Sequence, residues 1–264
     1  MYAFEYHKPR NLPQAVKDLA HEDAKVLAGG QTLLPTMKLR LASPKSLIDL
    51  KAIDELHGIH RDGDSILIGA MTAHADVATS ALVKSTIPAL AVLAGGIGDP
   101  AVRNRGTIGG SLANNDPAAC YPAAALALEA KIITNKRHIA ADHFFKGLFE
   151  TALEPGEIIT HVSFPVPVKA GYAKFANPAS RFALVGVFVA KGAHGVHVAV
   201  TGAGSSGVFR AIEIEHALGA NFSAKALDHV SMSSTNLNTD LHADAEYRAH
   251  LIVVMAKRAV AAAG

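Results

Sequence analysis

Two glycine pairs give the first chemical signal in this sequence: Gly29-Gly30 in "AGGQT" and Gly109-Gly110 in "TIGGS". Each follows residues suited to an extended entry and precedes small polar residues and a helix-like run. A glycine pair permits positive φ and leaves no Cβ between backbone and ligand, so successive N–H groups can point into one concavity, an anion site. Two such loops facing each other would hold a pyrophosphate without many Lys or Arg side chains. A lone Gly-Gly pair is more often an ordinary turn, and that reading stays open for each pair at this point.

Other residue patterns offer rival chemistry. "GAGSSG" places Gly202, Gly204 and Gly207 in a literal G-x-G-x-x-G, but a dinucleotide fingerprint needs a parallel βαβ unit with an acidic residue about 20 residues on. Asp228 follows without a convincing strand, and the preceding strand reads as part of an antiparallel hairpin, so a loop leading into a helix is expected. The N-terminal unit has the βαβ order and Asp49 at a suitable distance, yet "AGGQTL" lacks the first G-x-G spacing. His57/His60 and His194/His197 are each three apart, but no carboxylate or Cys cluster completes either set, so surface histidines and no metal site are expected. His194 and His197 flank an expected hairpin turn, and within a strand an odd offset would send them to opposite faces. Cys120 reads as a small buried residue rather than a reactive thiol. Arg103 and Arg105 suit either a phosphate or acidic partner or a solvated turn. No Ser-His-Asp or paired-carboxylate pattern supports hydrolysis.

The elements that must position these residues follow from the whole 264-residue chain. Half the residues are hydrophobic and 18% are charged, which implies a compact fold of one large or two smaller domains. The formal net charge of +2, with no basic run, argues against nucleic acid as a partner. No stretch reaches the roughly 18 apolar residues of a membrane span, and no secretory leader is visible, so a cytoplasmic location is expected. One cysteine excludes an internal disulfide or a thiolate-ligated cluster within this chain; metal clusters, if involved, belong to other chains.

Along the chain, "NLPQAVKDLA" reads as an amphipathic helix with Leu12, Val16 and Leu19 on one face. Strands are expected at "AKVLAGG", "KSLIDL", "SILIGAMT", "AKIITNK" and "EIITHVSFPV", with a helical turn at "QTLLPTMKLRL". "HADVATSALVKSTIPALAVLAGGI" reads as two helices parted near Ile87-Pro88. A boundary is expected near residue 170, in "PVPVKAG". Beyond it, "FALVGVFVAKGAHGVHVAVTGAG" reads as a hairpin turning at "KGAHG", and "FRAIEIEHALGA" and "EYRAHLIVVMAKRAVAAA" as helices.

Taken together, "AGGQTLLPTMKLRLA" and "RNRGTIGGSLANNDPAACYPAAALALEA" resemble the FAD-binding medium subunit of molybdenum hydroxylases, the family of aerobic carbon monoxide dehydrogenases and xanthine dehydrogenases. The likeness continues through "FEYHKPRNLPQAVKDL", "FFKGLFETALEPGEIITHVSFP", "GAGSSGVFRAIEIEHALG" and "EYRAHLIVVMAKRAV". It implies an α+β chain with the p-cresol-methylhydroxylase-type FAD-binding fold: an FAD-binding domain over 1–170, with α/β lobes of about 1–55 and 56–170, then a small C-terminal sheet-plus-helices domain over 171–264.

The same resemblance implies one FAD loop at Ala28, Gly29, Gly30, Gln31 and Thr32 and another at Thr107, Ile108, Gly109, Gly110 and Ser111. The bareness of the second would then reflect a pyrophosphate touching its backbone. Asn114 and Asp116 fall where the family places polar groups near the flavin and ribityl chain. Ile158 resembles an apolar position over the adenine or flavin edge, and Lys174 a basic residue near the isoalloxazine. Two departures stand out: Cys120 occupies a position where the family often has a carboxylate, and "NPASRFALVGV" lacks an acidic residue common before that strand.

The implied function is electron transfer. Substrate would be oxidised at a molybdenum cofactor in a large partner subunit, and electrons would pass through 2Fe–2S clusters of a small subunit to FAD here. They would then reach an external acceptor (NAD, a quinone or oxygen), within a dimer of heterotrimers. Two rivals are a flavin-free assembly subunit of the same complex and a Rossmann-type NAD(P) oxidoreductase built on Gly202, Gly204 and Gly207.

Overall fold

The computed structural model describes residues 1–263. At the N-terminus, β1 (Glu5–His7), α1 (Leu12–Leu19), β2 (Ala24–Leu27), α2 (Leu33–Lys38) and β3 (Ser46–Asp49) build a three-stranded sheet in the order β1-β3-β2. Both pairings are parallel. Helix α1 starts where Asn11 accepts from the Gln14 N–H and Pro13 fills the first turn, an N-cap arrangement that satisfies an otherwise orphaned donor. Ala15 is fully buried, with Leu12, Val16 and Leu19 packed beside it. The expected apolar face is therefore present.

The next stretch comprises β4 (Ile59–Asp62), β5 (Ser65–Gly69), α3 (His74–Thr79), α4 (Ala81–Thr86), α5 (Pro88–Gly95), α6 (Pro100–Arg103), α7 (Ile108–Asn114), α8 (Tyr121–Ala127), β6 (Lys131–Thr134), β7 (His138–Ala140), α9 (Ala141–Phe144), β8 (Phe145–Gly147), β9 (Glu150–Thr151) and β10 (Ile159–Pro165). Five strands form an antiparallel sheet in the order β4-β5-β10-β6-β7. The break before Pro88 falls where the sequence places it. A second break at Ser80, whose hydroxyl caps α4 by accepting from the Val83 N–H, makes three helices where two were expected.

The remainder is β11 (Lys169–Ala176), β12 (Ala183–Gly192), β13 (Gly195–Thr201), β14 (Phe209–Arg210), α10 (Ile212–Ala220) and α11 (Ala245–Ala261). The four strands pair antiparallel in sequence order. Strand β12 is apolar on both faces because both are covered. Val185, Val187 and Val189 face α10 and α11, packing with Leu251, Ile252 and Met255. Phe188 and Ala190 point the other way, into a core shared with α5, α8 and the five-stranded sheet. Burying each such valine, leucine or phenylalanine is worth about 1.5–3 kcal/mol, so the C-terminal sheet is joined to the preceding lobe by a continuous apolar layer. No helix among the described residues is long and apolar enough to cross a membrane.

Candidate functional site

The two glycine loops meet. Gly29 follows β2, and a Cβ there would lie 2.1 Å from the carbonyl oxygen of Arg105 and 2.7 Å from the Cα of Gly106. Gly110 closes the contact from the other side, where a Cβ would come within 3.1 Å of the Ala28 Cβ. Residues 28–32 and 105–111 thus form one constellation, although neither the N-terminal sheet nor the five-stranded sheet contains both.

For three of the four glycines the requirement is close approach rather than positive φ. Only Gly30 among the four adopts positive φ, at 72°. Gly109 and Gly110 lie in the first turn of α7, capped by Thr107, whose hydroxyl accepts from the Gly110 N–H at 3.1 Å. A Cβ on Gly109 would fall 2.5 Å from that of Ala70, at the end of β5. The bare "TIGG" stretch therefore serves helix packing on the sheet as well as close approach to the first loop, which amends the pyrophosphate-only explanation.

The first loop keeps its donors free. The N–H groups of Gly29, Gly30, Gln31 and Thr32 donate to no protein acceptor among the described residues, and Gln31 Nε2 braces the loop by donating to the Gly29 carbonyl at 3.2 Å. Four successive free amides beside a second glycine turn fit an anionic group such as a pyrophosphate. Beneath the second loop, His74 lies against Gly106 and donates its backbone N–H to the Gly106 carbonyl. Burial, and secondarily the charge of Arg103, lowers its pKa to about 4, so the ring is neutral at pH 7. Nothing in the sequence around His74 marks this supporting role.

The more distant candidates divide. Asn114 is half-buried near the end of α7, while Asp116 accepts from the Ala118 N–H in a tight turn. Between them Asn115 takes φ of 43° and donates to the carbonyls of Gly147 and Glu150, a fastening that no sequence motif announces. Ile158 is 3% exposed in the cluster against which Ala28 packs. It belongs to the small core of the N-terminal sheet from which the first loop leaves. Lys174, on β11, bridges the end of α5 and the loop before β12, donating to the carbonyls of Gly96 (2.5 Å) and Arg181 (3.0 Å), with its Nζ 3.7 Å from Cys120 Sγ. Cys120 itself is buried. Arg103 donates to the carbonyls of Ile97 and Gly98; Arg105 is exposed.

The rival patterns come apart. Strand β13 runs antiparallel to both neighbours, and Gly202 and Gly207 have φ of 84° and 103° in the turn that follows. The Gly202 N–H donates to the Pro117 carbonyl, so "GAGSSG" is a turn fastening the C-terminal sheet, and the Rossmann reading fails. Asp49 accepts from the Tyr6 hydroxyl and the Lys51 N–H; Asp228 pairs with Lys257. His194 sits in the hairpin turn rather than the strand, so it and His197 converge on Glu129, at 3.2 and 3.8 Å, instead of facing apart.

Residues 2–167 match the family model described as the FAD binding domain in molybdopterin dehydrogenase. The chain belongs to this family, that of the FAD-binding medium subunits of molybdenum hydroxylases. It is 36% identical to the carbon monoxide dehydrogenase medium chain of Hydrogenophaga pseudoflava, over 98% of this chain and 96% of that one. It is 35% identical to the nicotine 6-hydroxylase medium subunit of Paenarthrobacter nicotinovorans, over 99% and 98%. A solved structure of carbon monoxide dehydrogenase from Oligotropha carboxidovorans superposes with a TM-score of 0.89 at 32% identity, covering 99% of this chain and 97% of that one. This medium subunit therefore has the family's FAD-binding fold and is a flavoprotein component of an oxidoreductase.

Proposed function

We propose that this medium subunit is an electron relay, receiving electrons from 2Fe–2S clusters of a small partner subunit and passing them to an external acceptor. A large partner subunit with a molybdenum cofactor would oxidise the substrate, in a cytoplasmic complex assembled as a dimer of heterotrimers. The observation that carries the reading is the meeting of the two glycine loops around four free backbone amides. When bound, FAD supplies the capacity to take electrons singly and release them in pairs.

The protein's own part is placement and electrostatics. The amides of Gly29 to Thr32 would hold the pyrophosphate, with Ala28 and the 107–111 turn forming the opposite wall and Ile158, in the core on which Ala28 packs, serving as the apolar position at the adenine or flavin edge. Ser111, Asn114 and Asp116 stand on and just after α7 as polar groups for the cofactor's sugar-like chain. Lys174 would be the basic residue near the isoalloxazine, its ammonium held by the Gly96 and Arg181 carbonyls. The cofactor-binding part would span 1–170, in lobes of about 1–55 and 56–170. Residues 171–264 would form a C-terminal domain whose turn at Gly202 braces Pro117.

Two measurements test this. The absorption spectrum of the purified chain, before and after FAD addition, should show oxidised-flavin bands, with FAD released on denaturation; a chain that stays colourless yet joins its large partner would favour the flavin-free assembly role. Anaerobic mixing of the flavin-loaded chain with the reduced iron–sulfur subunit should then bleach those bands. Complex formation without bleaching would refute the relay.

A further inference from the structure

We propose that Glu5, His7 and His21 form a binding site for one divalent transition-metal ion of the zinc type, stapling the edge strand β1 to the turn between α1 and β2. One ligand atom from each residue lies within 4.8 Å of the other two. No other group of three His, Cys, Asp or Glu residues among the described residues meets that geometry.

The second observation concerns His7. Its Nε2 atom is shielded from solvent and has no hydrogen-bond partner; the nearest carboxylate oxygen, from Glu5, is 3.5 Å away. A buried ring nitrogen without a partner carries a desolvation cost, and a cation between His7 and Glu5 would remove it. The His21 ring stands nearly perpendicular to that of His7, with centroids 5.5 Å apart. Ligand atoms held at 2.0–2.2 Å from a tetrahedral zinc ion are roughly 3.3 Å from each other. The Glu5 and His7 atoms are already near that separation, and His21 is exposed and free to turn.

The fold brings the three together by strand periodicity and by the central strand. Glu5 and His7 are two apart on β1, so they share a side. Lys45, leading into β3, accepts at its carbonyl from the Glu5 N–H (2.8 Å) and donates its own N–H to the Asp23 carbonyl (3.2 Å), which draws the turn after α1 across to β1. A shallow, open depression lined by Glu5, His21, Glu22 and Lys45 among others lies beside the cluster, so water can reach it as a fourth ligand. The Lys45 ammonium is 2.7 Å from Glu22, so its charge is balanced by a carboxylate. Two imidazole nitrogens with one carboxylate suit zinc, cobalt or nickel better than calcium or magnesium.

The site lies where β1 to β3 begin, whereas the candidate FAD loop leaves the far end of β2. It is therefore structural, and its test is separate from flavin binding. The whole chain, stripped of metal by a chelator, is titrated with zinc against a competing chromophoric chelator, and cobalt binding is followed by visible absorption. About one equivalent should bind, and His7→Gln, His21→Gln and Glu5→Gln should each weaken it by roughly 10–100-fold or more, with flavin content unchanged. Zinc should raise the melting temperature of the parent chain and not of the variants. Zinc binding that is undiminished in all three variants, or a parent chain that binds no more tightly than they do, overturns the proposal. Glu5 and His21 are exposed, so those variants keep the test valid if His7→Gln folds poorly.

Discussion

Gly29→Ala probes the contact between the two loops directly. The added methyl would start 2.1 Å from the Arg105 carbonyl oxygen and 2.7 Å from both its carbon and the Gly106 Cα. All three are backbone atoms, so no side chain can swing away. Reaching the 3.4 Å at which ordinary contact begins requires the segments to part by about 1.3 Å. Overfilling a packed contact of this kind costs about 1–3 kcal/mol. If FAD requires the undisturbed spacing, restoring it on binding costs the same, and affinity should fall about 5- to 150-fold at 1.4 kcal/mol per factor of ten. Flavin fluorescence titration gives the affinity, and thermal melting separates it from global unfolding. Gly219→Ala is the control: it lies in α10 with nothing within 4 Å of where its methyl would sit, and should gain about 0.5–1 kcal/mol of stability with unchanged affinity. A Gly29→Ala protein that melts normally and binds FAD within about twofold of the parent would show that the loops do not form the site, since the expected penalty starts near 1 kcal/mol.

Acid stability should report two groups. His74 has a folded pKa near 4 against about 6.5 unfolded, so the unfolded chain takes up the extra proton. The penalty is absent above pH 6.5, grows as pH falls, and saturates below pH 4 at about 3 kcal/mol; urea melts of a His74→Phe variant should lose this slope. Glu157 is held down to about pKa 2, chiefly by hydrogen bonds from Arg137, so its contribution is present above pH 4.5 and disappears on acidification toward pH 2; Glu157→Gln should flatten that lower window. Arg248 is 2% exposed and donates to the carbonyls of Leu184 and Gly202 and to Asp240. Asp240 is 44% exposed, so the loss falls mainly on the two carbonyls: Arg248→Ala should cost about 2–4 kcal/mol in equilibrium unfolding, and a loss below 1 kcal/mol would contradict its role in fastening β12 and the Gly202 turn.

Local rules reveal some of this architecture and not the rest. Helix α1 was legible because Leu12, Val16 and Leu19 have helical spacing, and the βαβ unit after it because short apolar runs at β2 and β3 flank a glycine pair and a helical turn; β1 was not, since Glu5–His7 carries no apolar alternation. The break at Pro88 was legible because proline restricts the residue before it. Ser80, by contrast, interrupts a run with no proline or glycine, and only its cap to Val83 marks the end of α3. Strand β11 was hidden for another reason: "KAGYAKFA" has small and charged residues where its neighbours supply the burial. A Cβ on Gly171 would strike the Ala259 carbonyl of α11 at 1.8 Å, a constraint visible only once the helix is in place.

The site divides along the same line. That residues 28–32 and 107–111 belong together came from resemblance, because no local pattern links loops on separate sheets. Their physical coupling passes through the Arg105 and Gly106 backbone and through His74, whose neutral ring fills the space a side chain on Gly106 would need. A glycine at 106 and an uncharged, buried ring at 74 are thus one choice made at two positions. The pH dependence of His74 and the spacing probed by Gly29→Ala therefore measure the same junction. Acidification into the pH 4–6.5 window should loosen the second loop before it unfolds the C-terminal sheet, because the latter is held by the separate apolar layer around Phe188 and the Arg248 fastening.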